Sequence, residues 1–113
     1  MDKLNHFEVA ILEKLSETNP EIKKHIPYLM VKDRQITGVG MYITFNYIEG
    51  GDSLDYIKKL HLSTDGYLKM DGLKDGLIDD TNITNGQIDF IELVTYDEPW
   101  DGVIRNFFWD KEF

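Results

Sequence analysis

No cysteine occurs among the 113 residues. This excludes a disulfide framework, a thiolate metal site and a cysteine nucleophile. It is the composition that a reducing compartment permits, and the expectation is a cytoplasmic protein. No apolar run approaches the roughly 20 residues of a transmembrane helix. The opening segment, Met1 to Glu8, lacks a cationic stretch followed by an apolar one, so it does not read as a signal peptide. There is no glycine-rich phosphate loop, no G-x-S-x-G elbow and no H-E-x-x-H pair. His6, His25 and His61 fall on different elements without metal-ligand spacing. The carboxylates from Asp65 to Asp80 fail the calcium-loop pattern: counted from Asp71, the third position is Leu73 and the twelfth is Asn82. No cofactor and no metal are expected.

What is present is acid. The net charge is −9, and residues 1–34 balance, with six basic and six acidic side chains. The excess lies further on: Asp65 to Asp101 holds ten carboxylates against Lys69 and Lys74. Such a surface repels phosphate backbones and anionic lipid, so neither nucleic acid nor membrane is an expected partner. It suits solubility, and it suits faster association with a basic protein. With 42% hydrophobic and 12% aromatic residues the chain can fill one core, and a single domain over residues 1–113 is expected.

The hydrophobic periodicity changes once. Leu4, Phe7, Ile11, Leu12 and Leu15 make the stripe of an amphipathic helix over residues 3–17, with Asp2 as candidate cap. Asn19-Pro20-Glu21 reads as a second helix start with Asn19 as N-cap, ended by Pro27. A strand is then expected over Leu29–Thr37, its charged middle suiting an edge. Val39, Met41, Ile43, Phe45 and Tyr47 alternate with polar or small residues, the clearest strand of the chain. Asp55–Leu62 is expected to be a strand, with Leu60 and Leu62 on one face. Three Asp-Gly pairs make residues 63–76 read as turns. Leu77–Thr84 and Gln87–Tyr96 should form a hairpin through Asn85-Gly86, a dipeptide that accepts the positive φ angles of a type I′ turn. The aromatic residues of 97–113, Trp100, Phe107, Phe108 and Trp109, should pack back on the domain. Helices first and strands after them give an α+β expectation: N-terminal helices packed on an antiparallel sheet of four or five strands.

Two segments carry a family resemblance. Asp33-Arg34-Gln35-Ile36-Thr37-Gly38-Val39-Gly40-Met41-Tyr42, extended by Phe45, resembles the "R-E-x-T-G-V-G-F-(F/Y)-T-x-F" segment of a family of small uncharacterised bacterial proteins. Asn85 to Glu92 and Thr95 to Trp100 resemble that family's "G-x-I-x-x-L-E-x-Y-T-Y-x-(D/E)-x-W" segment. The chain departs from the pattern at Ile78-Asp79-Asp80-Thr81-Asn82-Ile83, polar where the family has an apolar strand. The resemblance implies a fold and a bacterial, cytoplasmic origin. In size, charge and style the chain is also similar to bacterial toxin-immunity proteins.

Two sets of residues are candidates for function. If residues alternate from Ile88, then Ile88, Phe90, Glu92, Val94 and Tyr96 share the more apolar face, and Glu92 needs donors, a cation or a proton. It would be a general acid or base in a pocket, helped by Tyr96 or His61; or a buried ion pair with Arg34 or Arg105; or a carboxylate turned outward by a bulge. The second set is Tyr96, Asp97, Glu98, Trp100 and Asp101, in which amphipathic rings and charge lie together as in binding anchors. The leading expectation is a small acidic binding module, immunity-like, for a basic protein partner. The alternatives are a small enzyme or ligand-binding domain using Glu92 and a homodimer joined through an exposed strand, so the expected state is monomer or homodimer.

Overall fold

The structure, a computed structural model, describes residues 1–111. Helix α1 (His6–Ser16) begins at Asn5, whose side chain accepts from the Glu8 amide while the Glu8 carboxylate accepts from the Asn5 amide. This capping box satisfies two otherwise free N–H groups, and it corrects the assignment of the cap to Asp2. Asp2 instead makes a β-bridge to Val31. Helix α2 (Glu21–His25) follows and is little more than one turn long. Asn19 does not cap it with its side chain; the amide nitrogen turns back to the Leu15 carbonyl at the end of α1. Pro27 lies in the 3-10 turn Ile26–Tyr28, which delivers the chain into the sheet.

Among the described residues the sheet has seven strands, more than the four or five expected: β1 (Leu29–Ile36), β2 (Gly40–Tyr47), β3 (His61–Leu62), β4 (Tyr67–Met70), β5 (Leu77–Thr84), β6 (Gln87–Thr95) and β7 (Phe107–Asp110). All pairings are antiparallel, in the order β1-β2-β6-β5-β4-β7, with β3 also on β5. As its charged middle implies, β1 is an edge strand. The additional strands come from residues read as turns or tail. His61 and Leu62 pair with Asn82 and Thr81, and Leu68 pairs with Leu77, so β3 and β4 run along one side of β5 as a single interrupted strand. Only two residues of the expected strand over 55–62 are in the sheet, and Leu60 is exposed where Leu62 is buried.

The inward faces of β2, β5 and β6 and the apolar stripe of α1 share one core. Phe7, Ile11, Leu12 and Leu15 are buried in it, each such side chain stabilising by roughly 1.5–3 kcal/mol. Phe7 meets Phe107 of β7 at 4.8 Å between ring centroids, and Glu8 holds Arg34 of β1. Since β1 and β7 are the two ends of the strand order, one helix touching both requires the sheet to curve around it. The concave side is therefore filled, and the convex side of the central strands faces out.

Two glycines are dictated by this sheet. A Cβ at Gly40 would lie 2.0 Å from the Leu93 carbonyl oxygen, so any side chain there would push β2 off β6. Val39, counted with the apolar face of β2, lies just outside the strand and is half exposed. The β5–β6 hairpin turns through Asn85 at φ 52° and Gly86 at φ 77°, as a two-residue I′ turn requires. A Cβ on Gly86 would also meet the Tyr56 ring at 2.4 Å. Gly86→Val should therefore lower the unfolding free energy by roughly 1–2 kcal/mol in urea titrations. An unchanged midpoint would refute this account of the turn.

The polar strand β5 accommodates a buried carboxylate because Asp79 is paired locally. Asp79 is inward and accepts from the Thr64 amide at 2.9 Å and from the Thr64 hydroxyl. Thr64 in turn accepts from the Trp109 indole at 2.8 Å. Asp79 thus closes the gap between β3 and β4. Burial raises its pKa above the ordinary carboxylate value, against the pull of the Thr64 bonds. The folded protein then holds this proton more tightly than the unfolded chain. The contribution of Asp79 to stability should increase as pH falls through the raised value toward about 4, the reverse of a salt-bridged carboxylate. Asp79→Asn should remove that increment, seen as a flatter dependence of the urea midpoint between pH 7 and pH 4; an identical slope in both proteins would contradict it.

Thr81, also inward, has a buried hydroxyl with no hydrogen-bond partner among the described residues. Thr81→Val keeps the shape and removes the orphaned oxygen, and should raise stability by about 1 kcal/mol. A loss of stability in the same urea assay would mean that the hydroxyl is paired.

Candidate functional site

The convex face is built by alternation. In β2, β5 and β6 the inward positions are buried or nearly so, and no outward residue from Tyr42 to Asn46, Ile78 to Thr84 or Phe90 to Val94 is buried. The pairing shifts between Asn82 and Ile83, so that Asp89 has no register partner on β5. This bulge overturns the simple alternation and bears out the third reading of Glu92, a carboxylate turned outward: Ile88 points into the core with Ile91 and Leu93, while Phe90, Glu92 and Val94 point out. Glu92 is therefore neither buried nor paired with an arginine. Arg34 is bound to Glu8, Arg105 is bound to Asp101, and the partner of Glu92 is the Tyr42 hydroxyl at 2.9 Å. That bond raises the Tyr42 pKa above its ordinary value.

Three rows cross the face in register. Tyr42, Glu92 and Asp80 form the middle row; Gly40, Val94 and Ile78 lie on one side, and Thr44, Phe90 and Asn82 on the other. The Tyr42 and Phe90 rings are 6.0 Å apart. Asp80 is 3.2 Å from His61 Nδ1 and accepts a longer bond from Asn82. The two carboxylates thus share a row with Tyr42 and sit beside a histidine, on an open sheet surface.

The corner after β6 is more constrained than its sequence suggests. Thr95 donates to the Val39 carbonyl and Trp100 to the Gly38 carbonyl, tying the corner to the β1–β2 turn. Both Glu98 carboxylate oxygens accept backbone amides, from Lys74 at 3.1 Å and Asp75 at 3.2 Å. Asp101 grips Arg105 through both oxygens and accepts from the Val103 amide, which lowers its pKa to about 2, the Arg105 bonds first among the causes. Trp100 is a core residue, 4% exposed, with its indole donating to the Val103 carbonyl. It is not an exposed anchor, although it lines a depression of about 510 Å³ with Leu73, Pro99 and Arg105. Tyr96 and Asp97 remain at the surface, Asp97 at φ 55°.

A second depression, of about 590 Å³, lies at the hairpin end, between Phe45–Gly50 and Thr84–Asp89. Glu92 lines neither of these depressions. Among the described residues no three histidines or carboxylates are grouped to hold a metal ion. Among the described residues no helix is long and apolar enough to cross a membrane.

Pattern reading finds Glu92, Tyr96 and Asp97 but misses Tyr42, Ile78 and Asp80. The signal for Asp80 lies in charge, since residues 75–104 contain eight carboxylates and no lysine or arginine; Tyr42 and Ile78 join it only through the strand register. Comparison with known proteins adds no relative, as no family model, curated protein or solved structure matches the chain.

Proposed function

We propose that this protein is a small acidic binding module of the bacterial cytoplasm, immunity-like, whose partner is a basic protein. The observation that carries this reading is the unbroken absence of lysine and arginine from Asp75 to Ile104, the segment that forms β5, β6 and the following corner. A surface of one sign steers an oppositely charged partner and raises its association rate. Tyr96 and Asp97 lie at its margin, and Glu98 and Asp101 hold the corner together. The likeness in size and charge to immunity proteins points the same way. An enzyme using Glu92 would want donors converging in an enclosed pocket; Glu92 instead shares an open sheet with Tyr42 and Asp80.

The test is association kinetics with a partner recovered by cross-linking in the source cells. Association should slow as salt rises from 50 to 300 mM, on the order of tenfold, and Asp97→Asn together with Asp89→Asn should flatten that dependence. Asparagine is chosen because it tolerates the left-handed backbone at position 97. Association that is indifferent to salt and to both substitutions would refute the proposal.

A further inference from the structure

We infer that the convex face of β2, β6 and β5 is the docking surface, and that it seats an arginine of the basic partner over the opposed pair Asp80 and Glu92. This rests on the acidic-module reading and adds to it a place and a ligand group. Asp80 and Glu92 are direct neighbours in the antiparallel register. Side chains so placed lie roughly 5 Å apart at Cβ, and like charges there repel. Three other carboxylates are compensated. Glu8 has Arg34, Asp101 has Arg105, and Glu98 has two backbone amides. Among the described residues, Asp80 and Glu92 have the Tyr42 hydroxyl, one nitrogen of His61 and the Asn82 amide, and no lysine or arginine. The three strands beneath them contain no lysine or arginine.

The surroundings favour a guanidinium in particular. Tyr42 and Phe90 give aromatic rings beside the carboxylates, and Val94 and Ile78 give an aliphatic border, with Tyr42 37% and Ile78 44% exposed. A guanidinium forks to carboxylates, stacks on rings and is weakly hydrated, so it can use all three. A second copy of the chain would bring the same two carboxylates against this face, and nucleic acid would bring phosphates. Charge therefore selects a basic protein segment with apolar residues flanking its arginine.

The experiment uses the ¹⁵N-labelled protein and a synthetic peptide in which two arginines alternate with leucines. Salt-sensitive amide shifts at Tyr42, Ile78, Asp80, Glu92 and Val94 are expected. Asp80→Asn with Glu92→Gln should weaken peptide binding roughly tenfold and leave the urea midpoint unchanged or higher. Shifts confined to the Tyr96–Asp101 corner or to the hairpin-end depression would overturn this placement and leave the acidic-module reading standing. No salt-sensitive binding at any site would overturn both. Sedimentation showing dimers that the double variant disperses would assign the face to a second copy and overturn the inference.

Discussion

Arg34→Met should lower the unfolding free energy by about 2–3 kcal/mol, well above the loss of a surface ion pair. Its partner, the Glu8 side chain, has 0% exposure, whereas Arg34 retains 29%. The guanidinium reaches Oε2 through Nε at 2.7 Å and Oε1 through Nη2 at 2.9 Å. Oε1 also accepts the Asn5 amide, so one carboxylate caps α1 and joins it to β1. Without the arginine, a buried carboxylate would keep a single backbone donor. Partial solvent contact at Arg34 screens the pair, which places the loss below that of a fully buried ion pair. Glu8→Gln added to Arg34→Met should recover about half, because the amide can still accept from Asn5 without a buried charge. Arg34→Lys should fall between, since an ammonium lacks the fork. Urea unfolding of the four proteins at pH 7 measures this. A loss in Arg34→Met no larger than for a surface methionine substitution would refute it.

That ion pair also shows where sequence reading ends. Asn5 and Glu8 have the spacing of a capping box, and Arg34 is visible as a strong cation, but nothing local says that residue 34 lies above the first turn of α1. Pairing Glu92 with Arg34 or Arg105 follows from an alternation that the bulge at Asp89 reverses; a hydrophobic pattern leaves the bulge open as an alternative without selecting it. The Asn85-Gly86 turn is legible because its residues are chosen by backbone geometry alone. The β4 strand is not. Its four residues are framed by turn chemistry, and they are extended because β5 and β7 pair with them from distant sequence. The same limit applies to Trp100. Composition marks it as a large ring beside two acids, and only the tie from its amide to Gly38 shows that the ring turns inward.

Tyr47→Phe should cost about 2–4 kcal/mol, more than a typical tyrosine hydroxyl, because one oxygen serves two buried groups. Tyr47 Oη accepts the Ile88 amide at 2.7 Å and lies 2.8 Å from His25 Nδ1. The other His25 nitrogen is 2.7 Å from the Asp55 carbonyl, which can only accept, so the tautomer that satisfies every group has its proton on Nε2. The phenol must then donate to Nδ1. Burial pushes the Tyr47 hydroxyl up to about 12, which keeps that proton in place at neutral pH. Phenylalanine would preserve the edge-on ring contact with His25 at 5.7 Å and leave both the Ile88 amide and the 1%-exposed imidazole short of a partner. The substitution thus removes bonds without opening a cavity. Two readouts separate this from general destabilisation. Urea unfolding should show the loss against Tyr56→Phe, whose ring is 66% exposed, as control. Hydrogen exchange at the Ile88 amide should accelerate beyond what the global loss accounts for, because that N–H no longer has an acceptor. If Tyr47→Phe behaves like the control in both, the His25–Tyr47–Ile88 chain does not hold α2 to the end of the β5–β6 hairpin.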